Sequence, residues 1–387
     1  MYTDLQSVAS PLGHSTGGTL LPTGTGRDSL RADDGIRTRD PHLGKVMLYQ
    51  LSHVRASLQP SGSGAIRNHS RGEGGSPNLS TARELRGSIR LITAAGYPDR
   101  VQLTASIPQS LTGQLRIWFN GRLHEDPYQA TVAGIDHGLV VGDGVFEALK
   151  VTERGAFAVR RHLDRLTRSA AALGLPAPDC AQIRTAIDTV LADRDFPLGK
   201  LRITYTGGRG PLGSEAAYGP PTLIVALAPA GAAPPLASIV TAPWTRNEHG
   251  ALAGVKSTSY AENVRAFSYA AERKAGEAIF LNTAGHVCEG TGSNIFLVFG
   301  ETVVTPPLSS GPLAGITREL IMAWSRVEER DLTLEEAKRA DEVFLTSSMR
   351  NVQGIERWDD HSFSPLRPVT HALAAHFAEC SEKDLDP

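Results

Sequence analysis

The pattern of apolar and polar positions changes near residue 114. Before it, Gly, Ser, Thr and Arg mix with scattered prolines, and no run holds a period of 2 or 3.6. Such a stretch buries too little apolar surface to offset its chain entropy, so residues 1–113 are expected to be a disordered extension. From Gln114 the signals are regular. Leu115, Ile117 and Phe119 alternate with Arg116, Trp118 and Asn120, predicting a half-buried strand, and Asn120-Gly121 marks a hairpin turn. A second strand is expected over Val145 to Val151. Helical spacing of Leu163, Leu166, Ala170 and Leu173 predicts a helix over Arg161 to Leu173, stopped by Gly174 and Pro176. Asp179 is the expected N-cap of a next helix that buries Ile183, Ile187 and Val190. Strands follow at Leu201 to Thr206 and Thr222 to Ala228.

Ala230 to Pro235 is an Ala/Pro/Gly linker, and the domain boundary is expected there. Beyond it a strand is expected at Ile239 to Ala242, then a helix over Tyr260 to Ala275 that buries Val264, Phe267 and Ala271. Glu277 to Leu281 and His286 to Glu289 read as strands about a turn at Asn282 to Gly285. Asn294 to Phe299 and Thr302 to Thr305 form another hairpin, followed by a helix over Thr317 to Val327. Thr333 to Glu336 fits a capping box, and Glu342 to Thr346 reads as a strand. Strands and helices mix without strict βαβ alternation, which favours α+β over a doubly wound sheet. The expected layout is an extension (1–113), a small α+β domain (114–229), a linker (230–237) and a larger domain (238–380).

Composition narrows the partners. The 387 residues suffice for two or three domains with sizeable cores. A formal net charge of −2 argues against nucleic acid or an anionic membrane surface as partner. The longest apolar stretch, Thr222 to Val240, is broken by Pro229, Pro234 and Pro235, and the first residues lack a continuous apolar core. Cys180, Cys288 and Cys380 are odd in number and widely spaced, as free thiols in a reducing cytoplasm would be. No metal-ligand spacing occurs. In the extension, Asp34 to Asp40 and Lys45 to Ser52 resemble translations of the reverse complement of a tRNA T-arm and D-arm, in gene order. The expectation is a gene start placed too far upstream.

One stretch carries chemistry: Gly254-Val255-Lys256-Ser257-Thr258-Ser259-Tyr260. Lys256 ends a short apolar approach and precedes a helix, so the backbone would hold it firmly. In apolar surroundings a lysine amine loses its proton easily and becomes a nucleophile able to form a Schiff base. An arbitrary turn lysine is a surface residue; here the rest of the chain supplies partners. Glu289-Gly290-Thr291-Gly292-Ser293-Asn294 offers a carboxylate at a strand end. Gly315-Ile316-Thr317 opens a helix whose free N–H groups suit a dianion.

These pieces, with Ile117-Trp118-Phe119-Asn120-Gly121, Gly142-Asp143-Gly144-Val145-Phe146-Glu147, His162-Leu163-Asp164-Arg165-Leu166 and Thr346-Ser347-Ser348, resemble the class IV aminotransferases, the fold-type IV pyridoxal-phosphate group. That group holds branched-chain and D-amino-acid aminotransferases and aminodeoxychorismate lyases. The resemblance implies a two-domain homodimer with pyridoxal 5'-phosphate between the domains. It implies that Lys256 binds the cofactor aldehyde, that Glu289 faces its ring nitrogen, and that Arg165, Ile316, Thr317, Ser347 and Ser348 hold its phosphate. Tyr260 would meet its ring oxygen, with Ser293 and Asn294 in support. Ser259 stands where many relatives have Asn. Leu212-Gly213-Ser214 lacks the Arg-x-His clamp of D-amino-acid enzymes, and Val141 replaces an aromatic typical of branched-chain enzymes. Val141, Phe146, Arg202 and Arg209 are the candidate substrate residues. The expected activity is 4-amino-4-deoxychorismate lyase, in folate supply, with an amino-acid transaminase (branched-chain first, D-amino acid second) as the alternative and an inactive pyridoxal-phosphate-binding homologue ranked last.

Overall fold

The computed structural model describes residues 114–194 and 196–387. The expectations for residues 1–113, the two tRNA-like pieces included, lie outside the described residues.

Two sheets carry the fold. The first contains β1 (Arg116–Phe119), β2 (Arg122–His124), β3 (Gly144–Thr152), β4 (Gly155–Ala156), β5 (Gly199–Thr206) and β6 (Thr222–Pro229). Their order is β2-β1-β6-β5-β3-β4, and every pair is antiparallel. Three helices accompany it: α1 (His137–Val140), α2 (Val159–Ala172) and α3 (Cys180–Leu191). Strand alternation and helical spacing meet in one core. Val145, Leu149 and Val151 of β3 and Leu201, Ile203 and Tyr205 of β5 pack on Leu163, Leu166 and Ala170 of α2 and Ile183, Ile187 and Val190 of α3. Asp179 caps α3 by accepting from the N–H groups of Ala181 and Gln182, each at 3.0 Å. The first strand has the other phase from the one its aliphatic residues suggest. Trp118 is its buried member, because the indole fills the space beside α3, while Ile117 and Phe119 are only half-buried.

The second sheet contains β7 (Leu236–Arg246), β8 (Glu277–Asn282), β9 (Val287–Gly290), β10 (Asn294–Phe299), β11 (Thr302–Thr305), β12 (Glu328–Glu329), β13 (Glu342–Ser347) and β14 (Asn351–Trp358), with β15 (His361–Ser362) beside β14. Its order is β12-β11-β10-β13-β14-β7-β8-β9. The pairs β11/β12, β14/β7 and β7/β8 are parallel and the others antiparallel. Its helices are α4 (Ala261–Glu272), α5 (Ile316–Trp324), α6 (Leu334–Lys338) and α7 (Pro368–Lys383). The capping box at Thr333 and Glu336 opens α6.

Helix α4 corrects an expectation. Its buried residues are Asn263, Ala266 and Ala270; Val264 and Phe267 are 61% and 51% exposed, and Ala271 is exposed. The surface beneath it is made of Val240, Ala242, Ala278 and Phe280, and it accepts the small face rather than the bulky one.

The sheets are stitched at the Lys256 stretch. Phe146 N–H donates to the Lys256 carbonyl at 3.0 Å, and Thr258 N–H to the Gly144 carbonyl at 2.7 Å. The chain end returns to the start of α2, which has no side-chain cap of its own. Ala158 N–H donates to the Leu385 carbonyl (2.8 Å) and Arg160 N–H to Asp386 Oδ1 (2.7 Å). Among the described residues, no helix is long and apolar enough to cross a membrane, and no His/Cys/Asp/Glu group could hold a metal ion. Cys180, Cys288 and Cys380 are free.

Candidate active site

Lys256 leaves the Gly254-Val255 approach half-buried, with its backbone N–H on Ser169 Oγ at 3.3 Å. Its Nζ lies 4.4 Å from the centre of the Phe146 ring. Burial pulls the amine down to about 8; the Arg165 charge adds to this, and Glu147 and Glu289 oppose it. A lysine so placed is deprotonated in a useful fraction near neutral pH and can act as nucleophile or base. Ser259, the departure from the family pattern, donates with Thr258 to the Gly142 carbonyl (3.1 and 2.9 Å). Val141 precedes that glycine at the end of α1 and is exposed.

Glu289 sits near the end of β9. One oxygen accepts from Leu313 N–H at 2.9 Å, and the other lies 3.6 Å from Arg246 Nε. Burial pushes its carboxyl above the ordinary value against the pull of Arg246. The residues after Leu313 tie the site together. Asn294 Nδ2 donates to the Leu313 carbonyl (2.8 Å) and Arg165 Nη1 to the Ala314 carbonyl (2.8 Å). Gly315 then begins α5 with no side-chain cap, leaving the N–H groups of Ile316 and Thr317 at an open helix mouth. A Cβ at 315 would lie 2.0 Å from Asn294 Oδ1, so any larger residue there would displace that amide.

Arg165 is more constrained than its sequence position suggests. Its Nε and Nη2 donate to the two oxygens of Glu147 at 2.8 and 2.6 Å. Glu147 is fully buried and also meets His162 Nδ1 at 2.7 Å. Burial alone would raise its carboxyl, but Arg165, and then His162, hold it down at about 2. Burial lowers His162, with Glu147 opposing. Ser348 Oγ stands 3.5 Å from His162 Nε2, so the serine reaches the same network. Sequence reasoning missed Glu147 and His162 as site residues. The available signal was a glutamate in the buried phase of a strand, between Val145 and Leu149, with His162 and Arg165 three apart on one helix face.

Three candidates have structural partners. Ser293 Oγ donates to Glu277 at 2.8 Å, and Ser347 Oγ accepts from Arg350 N–H at 3.3 Å. Glu277 pairs with Arg350, so this buried carboxylate joins the Glu289 hairpin to the turn after Ser348. Tyr260 donates its hydroxyl to the Thr291 carbonyl at 2.9 Å and meets Phe146 edge-on at 5.3 Å. Burial and the charges of Glu289 and Glu277 push its hydroxyl up to about 12. Arg202 stacks over the same Phe146 ring, 3.9 Å from its centre. Arg209 is exposed; its carbonyl accepts from Tyr218 and Gly219, and its side chain is not brought to this group.

A cavity of about 260 Å³ opens between Arg165, Arg168, Ser169, Val255 and Ala314. A larger hollow of about 480 Å³, between Glu153 and Phe196, contains none of these residues. The donor set fits pyridoxal phosphate: a low-pKa amine, a buried carboxylate, an uncapped helix mouth with an arginine aimed beside it, and an aromatic wall.

The sequence profile described as amino-transferase class IV matches residues 144–358. The chain belongs to the class IV amino-transferase family. Members of this family are pyridoxal-phosphate-dependent enzymes. A Methanocaldococcus jannaschii protein provisionally named a branched-chain-amino-acid aminotransferase is 33% identical over 253 residues, covering 62% of this chain and 86% of that one. A bifunctional aminodeoxychorismate lyase / D-amino acid transaminase of Mycobacterium tuberculosis is 30% identical over 271 residues, covering 62% and 89%. A hypothetical aminotransferase from Mycobacterium tuberculosis, solved in its PLP-bound form, matches with a TM-score of 0.60 at 27% identity, covering 68% of this class IV chain and 97% of that one.

Proposed function

We propose that this class IV enzyme is a 4-amino-4-deoxychorismate lyase, forming 4-aminobenzoate and pyruvate for folate supply. One observation carries the reading. The Lys256 amine and the Arg202 guanidinium approach one ring, Phe146, at 4.4 and 3.9 Å. A reacting amine, an apolar plane and a cation beside them suit a planar ring acid. The Leu212-Gly213-Ser214 loop and Val141 add no clamp or wall specific to D-amino or branched-chain acids.

Pyridoxal phosphate, when bound, supplies an aldehyde for the substrate amine and a ring that accepts electron density. Lys256 would hold that aldehyde, and its amine is the base placed to take the proton from the substrate carbon bearing nitrogen. Glu289 would hold a proton at the ring nitrogen. Arg165, Ser348 and the N–H groups of Ile316 and Thr317 would bind the phosphate. Ser293, Asn294 and Ser347 brace the segments that do this. Arg202 receives a substrate carboxylate. The ring carbon loses one proton, the enolpyruvyl group departs and gains one, and the carbon ring becomes aromatic, so no other reactant is needed.

The small domain (114–229) and large domain (238–380) form a cytoplasmic homodimer in this reading. The exposed apolar residues Val264, Phe267 and Trp244 are consistent with a covered face. An amino-acid transaminase is the second reading, favoured by the Methanocaldococcus relative's name and by half of the bifunctional relative's name. One assay pair separates them. Pyruvate release from aminodeoxychorismate without a keto acid is expected; turnover of 2-oxoglutarate with leucine or D-alanine instead would overturn the lyase reading.

A further inference from the structure

His162 has a partner at each ring nitrogen. Nδ1 faces Glu147 Oε2 at 2.7 Å, and Nε2 faces Ser348 Oγ at 3.5 Å. Burial works against a charge on Glu147, but Arg165 and then His162 keep it ionised. An ionised carboxylate only accepts, so Nδ1 carries a proton and donates it. That contact fixes the tautomer of the neutral ring. Its Nε2 is then a bare lone pair, and the hydroxyl that can satisfy it belongs to Ser348.

The turn carrying Ser348 lies beside the α5 mouth. It follows β13, whose Thr346 pairs with Asn294 of β10. Asn294 in turn donates to the Leu313 carbonyl and lies against Gly315, where α5 begins. Ser348 is therefore asked to serve both His162 and an anion held at that mouth. A hydroxyl has one proton to give. Given to Nε2, it leaves only lone pairs facing a phosphate dianion. Given to the phosphate, it leaves Nε2 a buried acceptor without a donor, which is disfavoured. The imidazolium resolves the conflict: its Nε2–H donates to Ser348 Oγ, and the hydroxyl proton turns to the anion. In the anion-free protein burial, Arg165 on α2 and Lys256 disfavour that cation, Glu147 on β3 favours it, and the net shift is downward. A dianion at the mouth adds negative charge on the favourable side.

We infer that His162 is a positioning residue that takes up a proton from solvent when the phosphate binds, so that its Nε2–H holds Ser348 Oγ and the Ser348 hydroxyl donates to the phosphate. The inference rests on the proposed phosphate site at the α5 mouth, and it holds whether the reaction beyond it is a lyase or a transaminase reaction.

The test is nitrogen-15 NMR of histidine-labelled protein, with the His162 signals assigned by their loss in His162→Gln. Near neutral pH the cofactor-free protein should show a neutral ring with its proton on Nδ1. The holoenzyme at the same pH should show protons on both nitrogens. Sulfate, which stays a dianion across this range, is the second probe. On cofactor-free protein it should raise the His162 midpoint by at least one pH unit, and its own affinity should fall at least threefold per pH unit across that interval, by linkage. Lys256 titrates at about 8, so the sulfate series is repeated in Lys256→Met, where the dependence should persist. Ser348→Ala should cut the midpoint shift to less than half, with Tm as the folding control, which separates the hydroxyl relay from simple attraction between charges. The same protonation state in cofactor-free protein and holoenzyme, a midpoint that sulfate leaves in place, or an equal shift in Ser348→Ala would overturn the inference. None of these outcomes bears on pyruvate release, so its failure and that of the lyase reading are distinguishable.

Discussion

Arg165 and Glu147 meet as a two-pronged pair inside the protein, at 2.8 and 2.6 Å, and the third nitrogen of the guanidinium reaches the Ala314 carbonyl. A carboxylate from one strand thereby fixes where an arginine from one helix points, and it points at the mouth of α5. Breaking such a pair leaves a buried charge without its partner, which costs about 3–5 kcal/mol. Glu147→Gln should therefore lower stability by roughly that amount and weaken cofactor affinity, measured by denaturant unfolding and by cofactor titration. Glu147 is also held at about 2, below its usual 4.5. A depressed carboxylate contributes stability above the unfolded pKa and loses it as pH falls through the folded one. Native stability should decline between about pH 4.5 and 2, and Glu147→Gln should lack this component of the decline.

Lys256 gives a slope of the same sign in an alkaline window. Its amine is at about 8 in the folded protein, below 10.5. Between those values the unfolded chain binds more protons, so stability rises with pH. Cofactor-free protein should gain stability from about pH 8 to 10.5, and Lys256→Met should flatten that rise. Denaturant midpoints across the range are the measurement.

Glu289→Gln should keep the cofactor attached but lower turnover by roughly 10²-fold, the scale for removing one group that stabilises developing charge. Retained yellow absorbance with depressed kcat is the expected combination. Unchanged kcat would take the carboxylate out of the mechanism.

Gly315→Ala would drive a methyl group against Asn294 Oδ1. Relief requires Asn294 to leave the Leu313 carbonyl, at a cost of about 1–3 kcal/mol. Cofactor affinity should fall with it, because Leu313 also donates to Glu289.

Much of this site was legible in the order of residues, because Lys256, Glu289 and Gly315-Ile316-Thr317 are chemically distinctive where they stand. Glu277 and Arg350 were not, since their pairing joins a strand start to a distant turn and leaves no local pattern. The α4 face was misread for a related reason. Val264, Phe267 and Ala271 have helical spacing, but so do Asn263, Ala266 and Ala270, and the shape of the surface beneath decides which set goes in. Trp118 reversed the phase of β1 because its indole, rather than Ile117 or Phe119, fills the space beside α3. The tie from Asp386 to the start of α2 joins residues 226 positions apart, beyond any periodic signal.

Attachment of the cofactor to Lys256 is read out by borohydride reduction of the purified holoenzyme, followed by proteolysis and mass spectrometry. A phosphopyridoxyl mass on the peptide containing Lys256, absent in Lys256→Ala together with the yellow absorbance, is the predicted result. The same mass on Lys274 or any other lysine would contradict it.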